Sequence, residues 1–392
     1  MTRPSIDPAD VAICLREDPP GSWNGAASPP IVQTSLFAFP SFRGLIDGLA
    51  SEHTHHVYTR GQNPTIEAVE RKLAALERGE ACKCFASGMA AVSAVMMGLL
   101  ESGDHVLFVN QTYGPTLQLA EQLRRFGVEH DLLLDISADA VERAIRPNTK
   151  LIWLESPGTM LFRVLDLAAI AGLARSRGVV TCIDNSWATP LFQKPITMGV
   201  DVVVHTATKY LGGHSDLVAG AVVTTAERLE RIFYRAFLLH GGVLAPHDAW
   251  LLHRGLLTLP TRMRQQAEDG LRVADFLRRH RAVREVYHPA FAADPALVGR
   301  QLSGYAGVFS FELVRGDFAT VERVIDALEH FRIAVSWGGV ESVVISPNMG
   351  NNAESLARRG LPSGLIRISV GLEGADVLMA DLGQALAVVT PG

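Results

Sequence analysis

Residues 202–216 read Val-Val-Val-His-Thr-Ala-Thr-Lys-Tyr-Leu-Gly-Gly-His-Ser-Asp. The β-branched run Val202–Val204 predicts a buried strand, and this strand leads into a loop that carries Lys209. A lysine at the end of an apolar strand is costly unless its amine is used, and desolvation frees that amine as a nucleophile or base. The stretch therefore indicates a lysine that can form a Schiff base, with an ordinary strand-end lysine as the alternative.

The composition is that of a folded globular protein. The chain has 392 residues, of which 48% are hydrophobic and 20% charged. This length allows about two or three domains. Its 36 basic and 41 acidic residues give a net charge of −5, and neither sign is concentrated in one block. Nucleic acid and membrane surfaces are therefore not expected as partners.

The sequence predicts a cytoplasmic protein without a metal site. The start lacks the apolar core of a signal peptide, and the longest apolar-rich run, Met89–Leu100, is too short to span a bilayer. Four cysteines are too few for a disulfide framework in a chain of this size. Neither the Cys82 and Cys84 pair nor the histidines at 53, 55 and 56 have the partners that a zinc site needs.

Apolar strands alternate with amphipathic helices between residues 61 and 245, which we predict to form one large domain. Helical spacing is present after Thr65, over Thr116–Phe126 and over Leu165–Arg177. The pattern predicts a parallel or mixed sheet covered on both faces, an α/β fold. Its strands are predicted at Cys82–Phe85, His105–Val109, Lys150–Glu155, Val179–Asp184, Asp201–His205 and Leu217–Thr224.

The two flanking regions differ from this pattern. Residues 1–60 are rich in proline and have little periodicity, so we predict an extended arm that lies on a partner subunit. Residues 246–392 are predicted to form a smaller α+β domain. It would begin with a long helical stretch, Ala245–Arg281, kinked or broken at Pro260. The remaining strands and helices are predicted at Val283–Tyr287, Val308–Leu313, Ile333–Ser336, Leu365–Val370, Phe318–Glu329 and Ala375–Val388.

Two motifs suit a phosphate group. The small-residue turn at Ser87, Gly88 and Met89 leads into a helix, where free backbone N–H groups and the helix dipole favour an anion. An ordinary helix start is the alternative. At the end of the arm, Arg60 offers a planar fork that matches a phosphate and Tyr58 a second donor. The alternative there is a solvated turn.

Three more residues lie where a ligand could reach them. Asp184 ends an apolar strand, where its charge could keep a heteroaromatic nitrogen protonated, or where it could simply cap a turn. Tyr113 lies just past another strand end and could stack on a planar ligand or pack as a wall. Strand alternation puts Arg367 on the face opposite Ile366 and Ile368, where it could bind a carboxylate or be exposed.

Together and in this order, these motifs resemble the Cys/Met-metabolism family of pyridoxal-phosphate enzymes. The resemblance runs from about residue 30 to the last helix, and its most specific part is the run of residues 206–216, similar to the family's cofactor-lysine signature. It implies the aspartate-aminotransferase-like fold (fold type I), with a mostly parallel central sheet and a smaller C-terminal α+β domain. It also implies a homo-oligomer, usually a tetramer of two catalytic dimers, that acts on a small amino-acid substrate.

The resemblance implies the following roles. Lys209 would carry pyridoxal 5′-phosphate as a Schiff base and then act as catalytic base, and Tyr113 would stack on the ring and assist. Asp184 would pair with the ring nitrogen. Within the same subunit, the phosphate would be held by Gly88, Met89, Thr206 and Thr208. From the neighbouring subunit, it would be held by Tyr58 and Arg60. The substrate α-carboxylate would be bound by Ser336 and Arg367.

Within the family, two features are similar to bacterial cystathionine β-lyases. Trp337 follows Ser336 where other members often have leucine, and Thr159 stands where many members have asparagine. We therefore predict a carbon–sulfur β-lyase that cleaves L-cystathionine or a related cysteine thioether to a thiol, pyruvate and ammonia. The alternatives are γ-elimination, γ-replacement on an activated homoserine ester, and a non-catalytic phosphate-binding α/β protein.

Overall fold

A computed structural model describes residues 5–16 and 22–389 of the chain. Its large sheet has seven strands in the order β1-β7-β6-β5-β4-β2-β3. All of its neighbouring pairs are parallel except the two that involve β7, which runs antiparallel to β1 and β6. The strands are β1 Ala81–Phe85, β2 His105–Val109, β3 Glu129–Leu133, β4 Thr149–Glu155, β5 Val180–Asp184, β6 Val202–His205 and β7 Gly220–Thr224.

Helices cover both faces of this sheet, and several begin at a side-chain cap. Ser87, for example, accepts a hydrogen bond from the Ala90 backbone N–H at 3.0 Å. A π-helical turn at Phe233–Phe237 joins α9 to α10. The α-helices described before residue 245 are α1 Pro8–Leu15, α2 Phe42–Ala50, α3 Pro64–Glu77, α4 Gly88–Leu99, α5 Gly114–Leu123, α6 Ala138–Ala144, α7 Leu167–Ser176, α8 Thr189–Phe192, α9 Ala226–Ile232 and α10 Leu238–His240.

The apolar residues on the two faces of the sheet belong to two separate core clusters. Along β6, Val203 faces the larger cluster together with Ile183 of β5. Val202 and Val204 point the other way and pack with Trp153. A strand buried on both faces explains why the valine run is continuous rather than alternating.

A second sheet follows the longest helix, α11 Pro246–Arg278. Its five strands have the order β10-β11-β12-β9-β8 and are antiparallel apart from the β10–β11 pair. Its strands are β8 Val283–Tyr287, β9 Val308–Leu313, β10 Arg332–Ile333, β11 Val343–Ile345 and β12 Leu365–Ser369. The helices around it are α12 Pro295–Gln301, α13 Phe318–Asp326, α14 Ala353–Arg358 and α15 Ala375–Ala387.

The α/β class with a mostly parallel central sheet and a second sheet is confirmed. The division of the chain into an arm and two domains at residues 60 and 245 stays a prediction. Residues 1–4 and 17–21 of the predicted arm and residues 390–392 of the predicted C-terminal domain lie outside the part of the chain that the structure describes. No helix among the described residues is long and apolar enough to cross a lipid bilayer.

The structure corrects two of the predicted elements and narrows a third. The arm contains α1 and α2, whose cap residues Asp7 and Ser41 are local signals for a helix start. The strand predicted at Ile333–Ser336 ends at Ile333, and Ser336 itself has a φ of +84° that a strand cannot accommodate. Helix α11 is not broken at Pro260, because its packing against α1, α3 and α15 outweighs the one backbone hydrogen bond that a proline removes, whereas a kink there stays a prediction.

Candidate active site

Several residues predicted to carry the chemistry lie together where parallel strands of the large sheet end. Strands β4, β5 and β6 run parallel, so their carboxyl ends lie side by side, where ligands bind in sheets of this type. Glu155 ends β4, and Asp184 ends β5 as its direct neighbour in register. Strand β6 ends at His205, and Lys209 follows after a tight turn in which its N–H bonds to the Thr206 carbonyl at 3.0 Å.

The amine of Lys209 points at a loop that comes from the second sheet. Its Nζ donates a 2.6 Å hydrogen bond to the Ser336 hydroxyl and lies 5.6 Å from the ring centroid of Trp337. The same loop touches the Lys209 backbone, because a Cβ at Gly338 would lie only 3.3 Å from the Lys209 Cα. The φ of +84° at Gly338 is a further reason for glycine at this position.

The surroundings of Lys209 favour a neutral amine. Burial and the positive charge of Arg367 together lower the pKa of Lys209 to about 8, although the negative charge of Asp184 opposes both. With this pKa about a tenth of the amine is unprotonated at pH 7, far more than for an ordinary lysine, and this fraction can act as a nucleophile or general base.

Asp184 is a desolvated carboxylate with few stabilising contacts. Burial raises its pKa, and hydrogen bonds from Ser186 oppose this effect, together with the charges of His205 and Lys209. The Ser186 backbone N–H donates to Asp184 Oδ1 at 2.9 Å. A carboxylate desolvated in this way gains from a cationic partner in the site.

Arg367 and Tyr113 complete the candidate site around Lys209 and Asp184. Arg367 is placed on β12 between the buried Ile366 and Ile368, as the alternation predicts, and its Nη2 donates to the Ser336 carbonyl at 3.1 Å. Burial lowers the pKa of Arg367 to about 10, and Tyr113 is among the groups that oppose this shift. Burial raises the pKa of Tyr113, whose ring nevertheless remains 47% exposed. Such a ring can still stack on a planar ligand.

Glu155 is a site residue that the sequence analysis missed. Its Oε2 accepts the Tyr113 backbone N–H at 2.7 Å and so fixes the loop that presents the tyrosine ring. Burial raises the pKa of Glu155 well above its ordinary value, and the neighbouring charge of Asp184 adds to this shift. Its position at the end of a predicted strand, the argument applied to Asp184, could have identified it.

The turn at Gly88 forms a cradle with the loop after β6. A Cβ at Gly88 would lie 2.3 Å from the Thr206 hydroxyl oxygen, so only glycine fits there. Because α4 begins at Gly88, the backbone N–H groups of Gly88 and Met89 lie at the positive end of a helix. Thr208 is engaged differently: its hydroxyl donates to the Ala219 carbonyl at 3.1 Å and accepts the Ala219 N–H at 2.9 Å.

Tyr58 and Arg60 lie apart from these residues. They line an open cleft of about 450 Å³ together with Gln33–Ser35, Gly241 and Val243. The guanidinium carbon of Arg60 lies 5.7 Å from the Tyr58 ring centroid, and within the described ranges no carboxylate pairs with it. Within one chain, the contacts of the described residues include no hydrogen bond or ion pair between Lys209 and either Tyr58 or Arg60.

The remaining predicted residues form a site suited to one kind of ligand. A buried amine can bond to a carbonyl carbon, the Gly88 cradle can hold a phosphate, and Asp184 can pair with a ring nitrogen. Arg367 offers a fork for a carboxylate. The donor set thus fits a planar, phosphorylated aldehyde together with an amino acid.

Comparison with known proteins supports the same chemistry. A family model described as "Cys/Met metabolism PLP-dependent enzyme" matches residues 12–387. The chain is 42% identical over 369 residues to the cystathionine gamma-lyase of Bacillus subtilis (strain 168), an alignment that covers 92% of this chain and 94% of that protein. It is 38% identical over 374 residues to the cystathionine beta-lyase MetC of the same organism, with 94% and 93% covered.

Two further matches extend the comparison. The chain is 40% identical over 375 residues to the L-methionine gamma-lyase of Pseudomonas deceptionensis, covering 93% of each. The crystal structure of metB from Corynebacterium glutamicum superimposes with a TM-score of 0.89 at 31% identity, covering 97% of this chain and 98% of that one. The fold and the family model therefore agree over nearly the whole length.

Proposed function

The chain belongs to the Cys/Met-metabolism family of pyridoxal-phosphate-dependent enzymes, and we propose that within this family it is a carbon–sulfur β-lyase. Its substrate would be L-cystathionine or a related cysteine thioether. With water, cystathionine would yield homocysteine, pyruvate and ammonia. Membership of the family also sets aside the non-catalytic alternative considered from the sequence.

The cofactor of this family is pyridoxal 5′-phosphate, and the residues present suit it. We propose that Lys209 attaches it covalently and that Asp184 faces its ring nitrogen. Its phosphate would be held by the Gly88 and Met89 N–H groups and by the Thr206 hydroxyl, for which the cradle leaves room. Thr208 would have to exchange a bond to Ala219 to join them. When bound, the cofactor stabilises negative charge at the substrate α-carbon.

The protein groups would act on the substrate in a fixed order. Arg367 binds the α-carboxylate, helped by Ser336, and so presents the α-hydrogen to Lys209. The Lys209 amine, with its pKa of about 8, removes this proton as general base. Tyr113, which is exposed at this site, would stack on the cofactor ring. The thiolate then leaves from the β-carbon, and a proton from Lys209 can return to the products.

The observation that carries β- rather than γ-chemistry is the position of Trp337. The ring centroid lies 5.6 Å from the Lys209 amine and 5.4 Å from the Tyr210 ring centroid, so the indole fills the space beside the base. Loss of a γ-substituent requires a second proton to be removed from the β-carbon. A base confined by an indole is less free to move to that carbon.

One observation favours γ-elimination as the second candidate. The two most similar relatives given above are named as γ-lyases, at 42% and 40% identity, against 38% for the β-lyase. Differences of a few per cent do not separate activities that use the same lysine. The reaction product therefore has to distinguish β-elimination from γ-elimination.

Product analysis tests the proposal directly. The purified enzyme is incubated with L-cystathionine, and the oxo acid is identified by mass spectrometry. The proposal expects pyruvate, whereas 2-oxobutyrate would establish γ-elimination. A Lys209→Ala variant should lose about 10²–10⁴-fold of turnover, the usual contribution of a general base, and normal turnover by that variant would sink the assignment.

We further propose that the active unit contains at least two copies of the chain. Arg60 and Tyr58 face an open cleft, where the phosphate of a neighbouring subunit would give the guanidinium its missing anion. On α2, Phe42, Ile46 and Leu49 form an exposed apolar stripe with exposed fractions of 76%, 42% and 54%. Contact with a second subunit would bury this stripe. We also propose that the protein is a tetramer and that it is located in the cytoplasm, where its buried free cysteines would stay reduced.

A further inference from the structure

Behind the cofactor site lies a buried polar group that the proposed chemistry does not use. Glu77, the last residue of α3, accepts a hydrogen bond from His205 Nε2 at 2.6 Å and another from Asn185 Nδ2 at 2.7 Å, both at Oε1. All three side chains are fully buried. A carboxylate in such a place is very unfavourable unless it is paired, so the contact with His205 is unlike a surface ion pair.

The two partners of Glu77 stand next to the residues that hold the cofactor. Asn185 directly follows Asp184 at the end of β5, and His205 directly precedes Thr206 at the end of β6. The Asn185 backbone N–H also bonds to the Val204 carbonyl at 2.9 Å. One carboxylate on α3 therefore contacts the residue that ends β6 and the residue that follows β5. Loss of that carboxylate removes one side-chain bond at each of these two positions.

The imidazole of His205 depends on Glu77 alone. Its other nitrogen, Nδ1, has no hydrogen-bond partner among the described residues. Lys194 is a second cation close enough to interact with Glu77, but it is already bonded to Asp10 at 2.7 Å. The orientation of the His205 ring is consequently set by one side-chain contact among the described residues.

His205 in turn acts on Asp184. The charge of His205 lowers the pKa of Asp184 and so opposes the effect of burial. The other titratable groups that interact with Asp184 are Lys209, which also lowers its pKa, and Glu155, Tyr113 and Cys182, each of which shares a charge interaction with it. Among them, His205 has no role in the proposed reaction.

We propose that Glu77 and His205 are positioning residues of the cofactor site: the Glu77 carboxylate holds the His205 imidazole and the Asn185 amide, and these bonds keep the ends of β5 and β6 where Asp184 and Thr206 can face the cofactor. The proposal rests on the cofactor roles proposed above for Asp184 and Lys209. It concerns only the bound cofactor. The identity of the thioether and of the product does not enter it.

The test is a pH titration of the visible absorption band of the holoenzyme without substrate. Glu77→Gln and His205→Gln replace the contact between Glu77 and His205 by a weaker one, so the ends of β5 and β6 are held less firmly. Asp184 then supports the positive ring nitrogen less well, and the nitrogen joined to Lys209 becomes more basic. The midpoint of the titration should move upward by about half a pH unit or more. Cofactor release, followed by equilibrium dialysis, should be about tenfold easier because both strand ends are held less firmly.

Glu70→Gln is the matched control. Glu70 is a buried carboxylate on the same helix, paired with Lys83 at 3.2 Å, and it bonds to β1 rather than to the cofactor loops. An upward shift in both test variants with an unmoved midpoint in Glu70→Gln supports the proposal. An unmoved midpoint in the test variants overturns it, as does an equal shift in all three.

If Glu77→Gln does not fold, His205→Gln decides the question against the same control. Because no substrate is present, a wrong assignment of the β-lyase activity leaves these outcomes unchanged. Absence of any visible band in the wild-type holoenzyme would instead contradict the cofactor roles themselves. The two proposals therefore fail in different measurements.

Discussion

The amine of Lys209 donates a 2.6 Å hydrogen bond to the hydroxyl of Ser336. This bond joins the edge of the large sheet to a loop of the second sheet, and Arg367 binds the carbonyl of the same serine. The proposed base and the proposed carboxylate-binding group are thus both bonded to one residue. A distance fixed in this way suits a reaction that removes a proton from the carbon next to a bound carboxylate.

The first prediction concerns the pH dependence of cofactor uptake. Only the neutral amine of Lys209 reacts with an aldehyde. Because the pKa of Lys209 is lowered to about 8 from 10.5, the rate at which apoprotein takes up pyridoxal phosphate should rise about tenfold per pH unit below 8 and level off above it. The growth of the visible band measures this rate.

Two variants check the cause of that pH dependence. Arg367→Gln removes a charge that lowers the Lys209 pKa, so its plateau should begin at higher pH. Asp184→Asn removes the charge that raises it, so its plateau should begin at lower pH. Shifts in the opposite directions would contradict the electrostatic explanation.

The second prediction tests whether the active site is shared. Lys209→Ala retains Arg60, and Arg60→Ala retains Lys209. If each site combines Lys209 of one subunit with Arg60 of its neighbour, subunit exchange between the two inactive or weakened proteins creates one intact site per mixed dimer. About a quarter of all sites should then recover the cofactor affinity and turnover of wild type. Activity no higher than that of the unmixed proteins would place both residues in one subunit's site.

The third prediction concerns the Gly88 cradle. Gly88→Ala introduces a Cβ within 2.3 Å of the Thr206 hydroxyl oxygen, so either this threonine or the helix start must move. We expect destabilisation by about 1–3 kcal/mol, as for other overpacked sites, and at least tenfold weaker cofactor binding by equilibrium dialysis. Gly172→Ala, in α7, is the control because nothing lies within 4 Å of its Cβ. It should bind the cofactor normally and be slightly more stable.

The fourth prediction concerns the choice of bond. Trp337→Leu removes the indole beside the Lys209 amine and leaves space for the base to approach the β-carbon. We expect the share of 2-oxobutyrate from cystathionine to increase severalfold relative to pyruvate. Trp250→Leu serves as the control, since the Trp250 indole bonds to Ser28 of the arm at 3.1 Å. An unchanged product ratio in Trp337→Leu would remove the main support for the β-lyase proposal.

The sequence was most informative where strands are buried on both faces. Continuous apolar runs made β2, β5 and β6 predictable to within about one residue, and the rule that parallel strands end together then indicated Asp184 and Lys209. Strand β3 was missed because its sequence, Glu129–Leu133, is largely polar and lies at the edge of the sheet. An edge strand does not need the pattern of a buried one.

Contacts between distant parts of the chain were not predictable in the same way. The bond from Tyr113 to Glu155 depends on the order of strands in the sheet, which local patterns do not encode. The bonds that Glu77 makes join α3 to two strands more than 100 positions away. A place for Arg60 beside the cofactor phosphate could be predicted only by resemblance. The cleft that Arg60 lines contains none of the residues at the end of the large sheet that could hold a phosphate.

The loop from Ser336 to Gly338 has a consequence for how such enzymes diversify. The lysine, the aspartate and the glycine turn belong to the large sheet, whereas the indole beside the base comes from the second sheet. A single codon change at position 337 can therefore alter the wall beside the proposed base while the residues proposed to hold the cofactor are inherited unchanged. Descendants of one ancestral gene could in this way acquire new substrates without first losing their prosthetic group.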